Sequence, residues 1–495
     1  MTSPFDLRII VIFAIMKYSN YLSCFILISA LFFSACKKDE FLTDSSAKLE
    51  FSTDSVLFDT VFTTLGSTTK TFRIYNTHSQ AMNISRIYLA GGSTSPFKLN
   101  VDGISGKNIP DVEIAGGDSL FVFVQVTVDP TGVSNPLLIK DSIIFETNNN
   151  IQDVKLTAVG QDVYLHKPDH FPLTGFPAYS IINCNDVWTN DKPHLIFGYA
   201  VVDSGCTLTM QPGTRVHLYK NAGLLVFKDG TLIVNGTKNN EVTFQGTRLE
   251  PDYKDIPGQW GQIWLYAGSK NNVINYAIIK NAGIGIRVDT VVTPGVPTLR
   301  LSNTIIKNMT AAAVYGLGAH IRSYNCVFAN SGQYVAALTI GGKYTFEHCT
   351  FANFWSGTTT RTTPLLVINN YYTSGSFVIL RPIDSCLFKN CILYGDLPDE
   401  IGLDSTTLAP YPPSYINYQF DHCLLKTTKS ITNSHYISCY KNLNPGFVNA
   451  SAGDYQLEST AVNSFDKGTT PSVLIDLNGN FRSGFNPDLG AYEFQ

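Results

Sequence analysis

Basic side chains are the most abundant reactive groups in the middle of the chain. Between Gly261 and Gly395 there are ten: Lys270, Lys280, Arg287, Arg300, Lys307, Arg322, Lys343, Arg361, Arg381 and Lys389. The same stretch has only three acids (Asp289, Glu347 and Asp384), although the whole chain has a formal charge of −4. A local excess of positive charge attracts polyanions such as acidic glycans or lipopolysaccharide. If the ten are instead spread around the surface, they only keep the protein soluble.

Lysine or histidine side chains could supply acid–base chemistry. A polysaccharide lyase needs carboxylates that hold Ca²⁺ against the uronates, with a Lys or Arg beside them to take the proton. Lys280 or Lys307 would be that base. Because the three acids are far apart, we expect no metal site, and no cofactor is indicated. His348 has an unperturbed pKa of about 6.5, but a structural role at a chain corner explains it better.

Several aromatic and basic residues are candidates for ligand contact. They are Tyr253, Trp260, Arg287, Arg322 and Trp355. The acidic loop "EPDYKD" at residues 250–255 precedes Trp260 and could form one rim of a glycan groove. The alternative is a solvated loop, since loops are generally polar.

A repeated hexapeptide indicates which elements must position these residues. It occurs as "YAIIKN" at 276, "NTIIKN" at 303, "NCVFAN" at 325, "HCTFAN" at 348, "SCLFKN" at 385 and "HCLLKT" at 422. Repeats of about 20–50 residues are typical of solenoids. The second and fourth positions of each hexapeptide lie on one face of a strand.

The repeat positions predict a stacked core. The second position is small (Ala277, Thr304, Cys326, Cys349, Cys386, Cys423) and the fourth is large and apolar (Ile279, Ile306, Phe328, Phe351, Phe388, Leu425). Stacking at about 4.8 Å would form a cysteine row and a phenylalanine row. The sixth position holds Asn281, Asn308, Asn330, Asn353 and Asn390, and Asn tolerates the left-handed conformation that a corner requires.

This pattern resembles the right-handed parallel β-helix, the fold of pectate lyases and of many bacterial surface proteins. Further matching pieces are "PGT" at 212, "DGTL" at 229 and "GQWGQI" at 258. The resemblance implies a β-helix over residues 163–450 and a C-terminal closing segment over residues 451–495. In that segment, Arg482, Asp488 and Glu493 are expected to cap the open end.

Residues 48–162 predict a different module. Strand-like runs recur at intervals of roughly ten residues, as in a β-sandwich. In "SLFVFVQVTV", the side chains of Leu120, Val122, Val124 and Val126 share one face. The layout resembles the immunoglobulin-like domains of anchored bacterial surface proteins. The predicted fold is therefore all-β: a sandwich that serves as a spacer or docking module, followed by a right-handed parallel β-helix.

Residues 1–35 have the layout of a signal peptide, with the true start at Met16. The apolar run from Tyr21 to Ala35 is shorter than the roughly 20 residues that span a membrane. "FSAC" resembles the lipobox of bacterial lipoproteins, which implies lipidation of Cys36. The next residues, "KKDE", resemble the surface-export signal of Bacteroidetes lipoproteins. The resemblance implies a tether over residues 36–47, an outer-membrane lipid anchor and exposure at the cell surface.

Eight cysteines remain when Cys24 of the signal segment and Cys36 are set aside. None has the spacing of a zinc site. We expect Cys326, Cys349, Cys386 and Cys423 to be interior thiols, because residues stacked in register project parallel Cβ vectors, whereas a disulfide needs converging ones.

Three functions remain open from the residues alone. The leading hypothesis is a monomeric, non-catalytic surface lipoprotein that binds or adheres to polysaccharide. The alternatives are a lyase or glycoside hydrolase that acts on an acidic glycan, and a structural surface-layer component. Nucleic acid is a poor candidate ligand because the chain is exported and acidic overall.

Overall fold

The computed structural model describes residues 40–130, 132, 134, 136–173, 175–290, 295–375, 377–406 and 416–495. The signal segment and Cys36 lie outside these ranges. The chain divides into two compact units, Met1–Pro130 with Pro136–Gly160, and Thr131–Asn135 with Gln161–Gln495. Strands and short 3₁₀ turns make up the regular structure, and the described residues include no helix long and apolar enough to cross a membrane.

The first unit is a β-sandwich of two five-stranded sheets. Its strands are β1 (Glu50–Phe51), β2 (Ser55–Phe62), β3 (Lys70–Tyr75), β4 (Met82–Leu89), β5 (Phe97–Val101), β6 (Ile104–Gly106), β7 (Asn108–Ile114), β8 (Ser119–Val126), β9 (Leu137–Thr147) and β10 (Asn150–Gln161). The strand orders are β1-β3-β8-β5-β6 and β2-β10-β9-β4-β7. Val122, Val124 and Val126 on β8 are fully buried and Leu120 is partly buried, which confirms the alternation expected from the sequence.

The second unit is a parallel β-helix, whose first half contains β11 (Tyr164–His166), β12 (Tyr179–Ile181), β13 (Val187–Trp188), β14 (His194–Ile196), β15 (Tyr199–Val202), β16 (Thr207–Met210), β17 (Arg215–Leu218), β18 (Gly223–Val226), β19 (Thr231–Asn235), β20 (Val242–Gly246), β21 (Trp260–Leu265), β22 (Asn272–Asn275), β23 (Ala277–Lys280), β24 (Ala282–Val288), β25 (Leu299–Ser302) and β26 (Ile305–Met309). Its second half contains β27 (Ala312–Tyr324), β28 (Val327–Ser331), β29 (Tyr334–Glu347), β30 (Thr350–Asn353), β31 (Leu366–Asn369), β32 (Tyr371–Ser374), β33 (Phe377–Leu380), β34 (Ile383–Lys389), β35 (Ile392–Gly395), β36 (Ile401–Asp404), β37 (Ile416–Asp421), β38 (Leu424–Leu425), β39 (Tyr436–Ile437) and β40 (Tyr440–Lys441).

The coils stack into three ladders of parallel strands. The first ladder is β12, β15, β18, β21, β24, the N-terminal parts of β27 and β29, β31 and β36. The second ladder is β13, β16, β19, β22, β25, the C-terminal parts of β27 and β29, β34, β37 and β39. The third ladder is β11, β14, β17, β20, β23, β26, β28, β30, β35, β38 and β40. Each ladder buries alternate side chains in one continuous core.

Left-handed residues form the corners between ladders. The corner from the second to the third ladder holds Tyr276, Asn303, Asn325, His348, Asn390 and His422, with φ between 48° and 54°. The corner after the third ladder includes Asn281, Asn308 and Asn330, as predicted. Asn390 belongs to the other corner. Asn353 is not left-handed, which corrects the prediction for this position; its side chain bonds the backbone N–H and C=O of Ser331.

One coil departs from the predicted register. Cys386 pairs with Tyr344 in the second ladder, whereas Ile392 and Leu393 continue the third ladder after Thr350 and Phe351. The cysteine row is therefore Cys326, Cys349, Cys391, Cys423 and Cys439. Strands of both ladders bury small and large residues alternately against the same core, so the alternation alone could not distinguish them.

The phenylalanines accordingly form two rows. Phe328 and Phe351 stack in the third ladder with ring centroids 4.8 Å apart. Phe346, Phe388 and Phe420 stack in the second. The two rows meet inside the core, where the ring of Phe351 lies edge-on to Phe388 at 5.6 Å.

The C-terminal segment lies along the flank of the β-helix and not over its open end. It begins with the hairpin of β41 (Phe447–Asn449) and β42 (Asp454–Leu457). Asn390 donates from its amide to Thr469 O at 2.8 Å, and Arg482 donates to Asn325 Oδ1 at 3.0 Å. Arg482 also pairs with Glu493 at 3.3 Å. The prediction that these residues cap the open end is therefore wrong. They attach the segment to the corner column, which is the stack of left-handed residues between the second and third ladders.

Candidate functional site

Two arginines project side by side from the outer face of the second ladder. Arg300 on β25 and Arg322 on β27 are direct register partners in neighbouring coils. Lys343 lies one coil further, opposite His320. Arg300, Arg322 and Lys343 are all exposed, because the flanking positions of each strand supply the buried side chains.

The C-terminal segment forms the opposite wall of a cleft at this position. The cleft has a volume of about 610 Å³ and is lined by Arg300, Arg322, Tyr324, Glu347 and residues 472–475. Glu347 anchors that wall, because its carboxylate accepts from Ser472 N at 2.8 Å and from the Ser472 hydroxyl. Tyr324 is 39% exposed and lines the cleft together with the two arginines.

The cleft carries uncompensated positive charge. Among the residues that the structure describes, no carboxylate lies within ion-pair distance of Arg300, Arg322 or Lys343. Glu347 is engaged by Lys389 at 3.9 Å. The pKa of His320 is lowered by its burial and then by Lys343 and the two arginines, so this imidazole is neutral at neutral pH.

The two candidate lysines lie elsewhere, on the outer face of the third ladder. Lys280 and Lys307 are register partners. The acidic loop folds over them, so that Lys280 Nζ donates to Lys254 O at 3.3 Å and Lys307 Nζ lies 3.7 Å from Asp255. Burial lowers the pKa of Lys280. These lysines and the arginine cleft do not form one site.

His348 is a structural residue of the corner column. Its φ of 50° matches that of Asn325 at 51° one coil earlier, as predicted. The imidazole is fully buried, and its Nε2 lies 3.0 Å from Asn390 Nδ2. Burial lowers its pKa below the usual range, with Arg482 adding to the effect. A ligand in solvent cannot reach this group.

The three aromatic ligand candidates contact other residues of the protein. Trp260 is 1% exposed and donates from Nε1 to Lys280 O at 2.8 Å, so it cannot stack on a ligand. The ring of Tyr253 is covered by the guanidinium of Arg248 at 3.5 Å. Trp355 donates from Nε1 to Thr359 O at 2.7 Å within its own loop.

Arg287 occupies the first ladder and is neutralised there. Its Nε lies 2.7 Å from Asp289, and its guanidinium stacks over Trp264 at 4.4 Å. Of the five ligand candidates, only Arg322 lines the cationic cleft. Arg300 and Lys343 were not singled out in the sequence, because nothing in their local sequence shows which face they occupy. No local signal indicates the wall at residues 472–475 either.

Comparison with known proteins supports the handedness of the fold. Residues 197–351 match the family model described as "Right handed beta helix region". The solenoid is a right-handed parallel β-helix. The match covers coils from all three ladders, including Arg300 and Arg322. A search of curated protein sequences returned no match.

Solved structures give only distant likenesses to this right-handed β-helix protein. One is the catalytic unit of a thermostable GH87 alpha-1,3-glucanase from Streptomyces thermodiastaticus strain HF3-3, with 8% identity over 74% of this chain and 66% of that chain and a TM-score of 0.21. Another is a family 123 glycoside hydrolase from Clostridium perfringens, with 8% identity, a TM-score of 0.17 and coverage of 23% of this chain and 26% of that chain. A third is PapD-like domain 7 of human CEP192, with 12% identity, a TM-score of 0.17 and coverage of 26% and 94%. At these scores the likenesses carry no functional argument.

Proposed function

We propose that the protein is a non-catalytic binder of anionic polysaccharide and that the ligand lies in the cleft of Arg300, Arg322 and Tyr324. The observation that carries the proposal is the pair of register partners Arg300 and Arg322, with Lys343 on the same outer face; all three are exposed and have no carboxylate partner among the described residues. Like charges in neighbouring coils repel each other, and a polymer with regularly spaced anionic groups removes that repulsion.

The side-chain chemistry of the cleft suits such a ligand. Register partners in a parallel ladder are about 4.8 Å apart, so two guanidinium groups can hold one anionic group or two successive ones. Arginine binds carboxylate, sulfate and phosphate through paired N–H donors. The exposed ring of Tyr324 offers an apolar face for a sugar ring.

The arrangement favours binding over catalysis. A lyase or hydrolase would need an acid or base that faces the bound sugar. Lys280 and Lys307 lie on a different ladder, and His348 is buried. Glu347, which does line the cleft, is held by Ser472 and Lys389. Arg300 or Arg322 could take a proton, but the described residues of the cleft include no free carboxylate to act beside them or to hold Ca²⁺ against a uronate.

We further propose that lipidated Cys36 anchors the protein in the outer membrane. In this proposal a monomer faces the outside of the cell, and the sandwich acts as a stalk or docking module. The immunoglobulin-like character of the sandwich, the Bacteroidetes-type export signal and the lipobox belong to this proposal and rest on the sequence resemblances given above.

Affinity electrophoresis of the protein without its signal segment tests the binding proposal. Gels that contain polygalacturonate, chondroitin sulfate or heparin should retard the protein. In a gel with neutral dextran, Arg322→Gln and the wild type should be retarded to the same extent. Arg322→Gln should reduce the retardation, whereas Lys270→Gln, which removes the same charge at the Asp229 ion pair, should not. Equal mobility in all acidic gels and in their absence would refute the proposal.

A further inference from the structure

A second cleft lies on the outer face of the first ladder. Along this face the outward residues Tyr315, Ala337 and Val367 follow one another in register from coil to coil. Ala337 and Val367 are smaller than tyrosine, and they leave a hollow floor next to the ring of Tyr315. The resulting cleft has a volume of about 480 Å³.

Tyrosine side chains form its walls. Tyr334 stands at the start of β29, and Tyr371 and Tyr372 stand on the hairpin of β32 and β33, which projects from the following coil. All three side chains are half-buried, so each keeps part of its ring open to solvent. Tyr315 completes a set of four aromatic rings around one hollow.

The polar groups of the cleft are held in place by each other. Tyr371 donates from its hydroxyl to Asp404 at 2.9 Å, and Asn369 donates from Nδ2 to the same carboxylate at 3.0 Å. Asn369 Oδ1 accepts from the backbone N–H of Tyr371 at 3.1 Å and of Ile340 at 3.3 Å. A carboxylate with fixed orientation and free lone pairs is therefore presented at the rim.

Backbone strain is located at the same cleft. Ile340 lines it and has a φ of 60°, which is unfavourable for a β-branched residue. Such strain persists only where surrounding contacts enforce it, and it concentrates at binding and catalytic sites. Asn369 accepts from the backbone N–H of Ile340 and thereby links the strained residue to Tyr371 and Asp404.

We propose that this tyrosine cleft binds an uncharged hexopyranose unit of a glycan, at a site separate from the cationic cleft. A pyranose ring has apolar C–H faces, which stack on aromatic rings, and a rim of hydroxyl groups, which bond to carboxylate and amide groups. The described lining contains one carboxylate, Asp404, and no lysine or arginine. An anionic sugar would be repelled there, so the ligand differs in charge from that of the cationic cleft.

Saturation-transfer NMR with four uncharged probes tests the proposal: cellotetraose, maltotetraose, mannotetraose and galactotetraose. At least one should bind, and its affinity should fall at least tenfold in Tyr334→Ala and in Tyr372→Ala. Tyr371→Phe removes only the hydroxyl that bonds Asp404 and should weaken binding with the fold intact. Tyr88→Ala is the matched control, since it removes a half-buried tyrosine of the sandwich that lines neither cleft, and it should bind as the wild type does.

Two results would overturn the proposal. One is the absence of binding by all four probes; the other is wild-type affinity in Tyr334→Ala, Tyr372→Ala and Tyr371→Phe. If Arg300→Gln abolished the binding of the uncharged probe while these variants retained it, the sugar would lie in the cationic cleft instead. The outcome is independent of the acidic-glycan test, because neither arginine lines the tyrosine cleft.

Discussion

Arg300 and Arg322 are register partners in neighbouring coils, and neither guanidinium lies within ion-pair distance of a carboxylate in the described part of the chain. Their neighbours in sequence differ, so only the coil repeat brings them together. Five other cations of the same stretch do pair with acids: Lys270, Arg287, Lys307, Arg361 and Lys389. Of the five cations that remain, Arg300, Arg322 and Lys343 lie on the outer face of the second ladder.

Truncation of Phe351 should destabilise the β-helix. Its ring is fully buried and touches Phe328, Phe346 and Phe388. Phe351→Ala should lower the free energy of unfolding by about 3–5 kcal/mol, because neighbours held in register cannot fill the cavity. Denaturant unfolding measures this. Phe481→Ala, at a side chain 76% exposed, should change it by less than about 0.5 kcal/mol. An unchanged denaturation midpoint for Phe351→Ala would contradict the strand register that places this ring in the core.

The β-helix should lose stability in mild acid. Burial lowers the pKa of His166 to about 4, of His194 to about 3 and of His217 to about 4. In the unfolded chain these imidazoles have a pKa of about 6.5, so below that pH the unfolded state binds protons that the folded state does not. Stability is complete above pH of about 6.5 and falls by up to about 1.4 kcal/mol per histidine for each pH unit down to the folded pKa.

Thermal unfolding at pH 7.5 and 5.0 checks this acid effect. His166 and His194 contact each other, with Nε2 and Nδ1 3.1 Å apart, so protonation of both is strongly opposed. His217→Gln should reduce the difference in stability between the two pH values. Greater stability at pH 5.0 than at pH 7.5 would contradict the neutral state of the buried imidazoles.

Six cysteines should be free thiols in the folded protein. Cys326, Cys349, Cys386 and Cys423 are buried and unpaired, as expected from the sequence, and so are Cys391 and the half-buried Cys439. One disulfide joins Cys184 to Cys206. Mass spectrometry of the non-reduced protein should find that single link, with Cys439 alkylated first and the other five only after denaturation. A disulfide between Cys326 and Cys349 would contradict the prediction that the stacked cysteines of the core are free thiols.

The proposed anchor predicts a change of cell fraction. Cys36→Ser should leave the exported protein unlipidated and move it out of the membrane fraction, because the proposed acyl chains are its attachment. Fractionation of cells, with labelling by radioactive palmitate, measures this. Cys24→Ser is the control and should remain lipidated. Full retention of Cys36→Ser in the membrane fraction would show that another part of the chain provides attachment.

Most of the β-helix was predictable because its core and corners obey local rules. The alternation of apolar and polar residues predicts the strands. The recurring asparagines predict corners, and Asn281, Asn308 and Asn330 do have positive φ. The coil that contains Cys386 was assigned wrongly, since the pattern of small and large residues suits either of two ladders. The 42-residue separation between the corners His348 and Asn390 includes the long loop and hairpin of that coil. The spacing of the hexapeptides does not show where in the coil such an insertion lies.

The candidate site was predictable only in its charge. The sequence shows an excess of basic residues, but it does not show that Arg300, Arg322 and Lys343 share a face while Lys280 and Lys307 occupy another. The second wall of the cleft comes from residues 472–475, about 150 positions away from Arg322 in the chain. Contacts of that range depend on how the C-terminal segment crosses the corners, which no local pattern specifies.

The most direct test of the account is the dissociation constant for a polygalacturonate fragment, measured by isothermal titration at low and at physiological ionic strength. The double variant Arg300→Gln/Arg322→Gln should bind at least about tenfold more weakly at low salt and show less salt dependence, because two charge-assisted contacts are lost. The control Lys270→Gln/Arg381→Gln has the same net charge and should bind within about twofold of the wild type, as its changes lie outside the cleft. Equal affinity of the arginine double variant and the wild type would contradict the account.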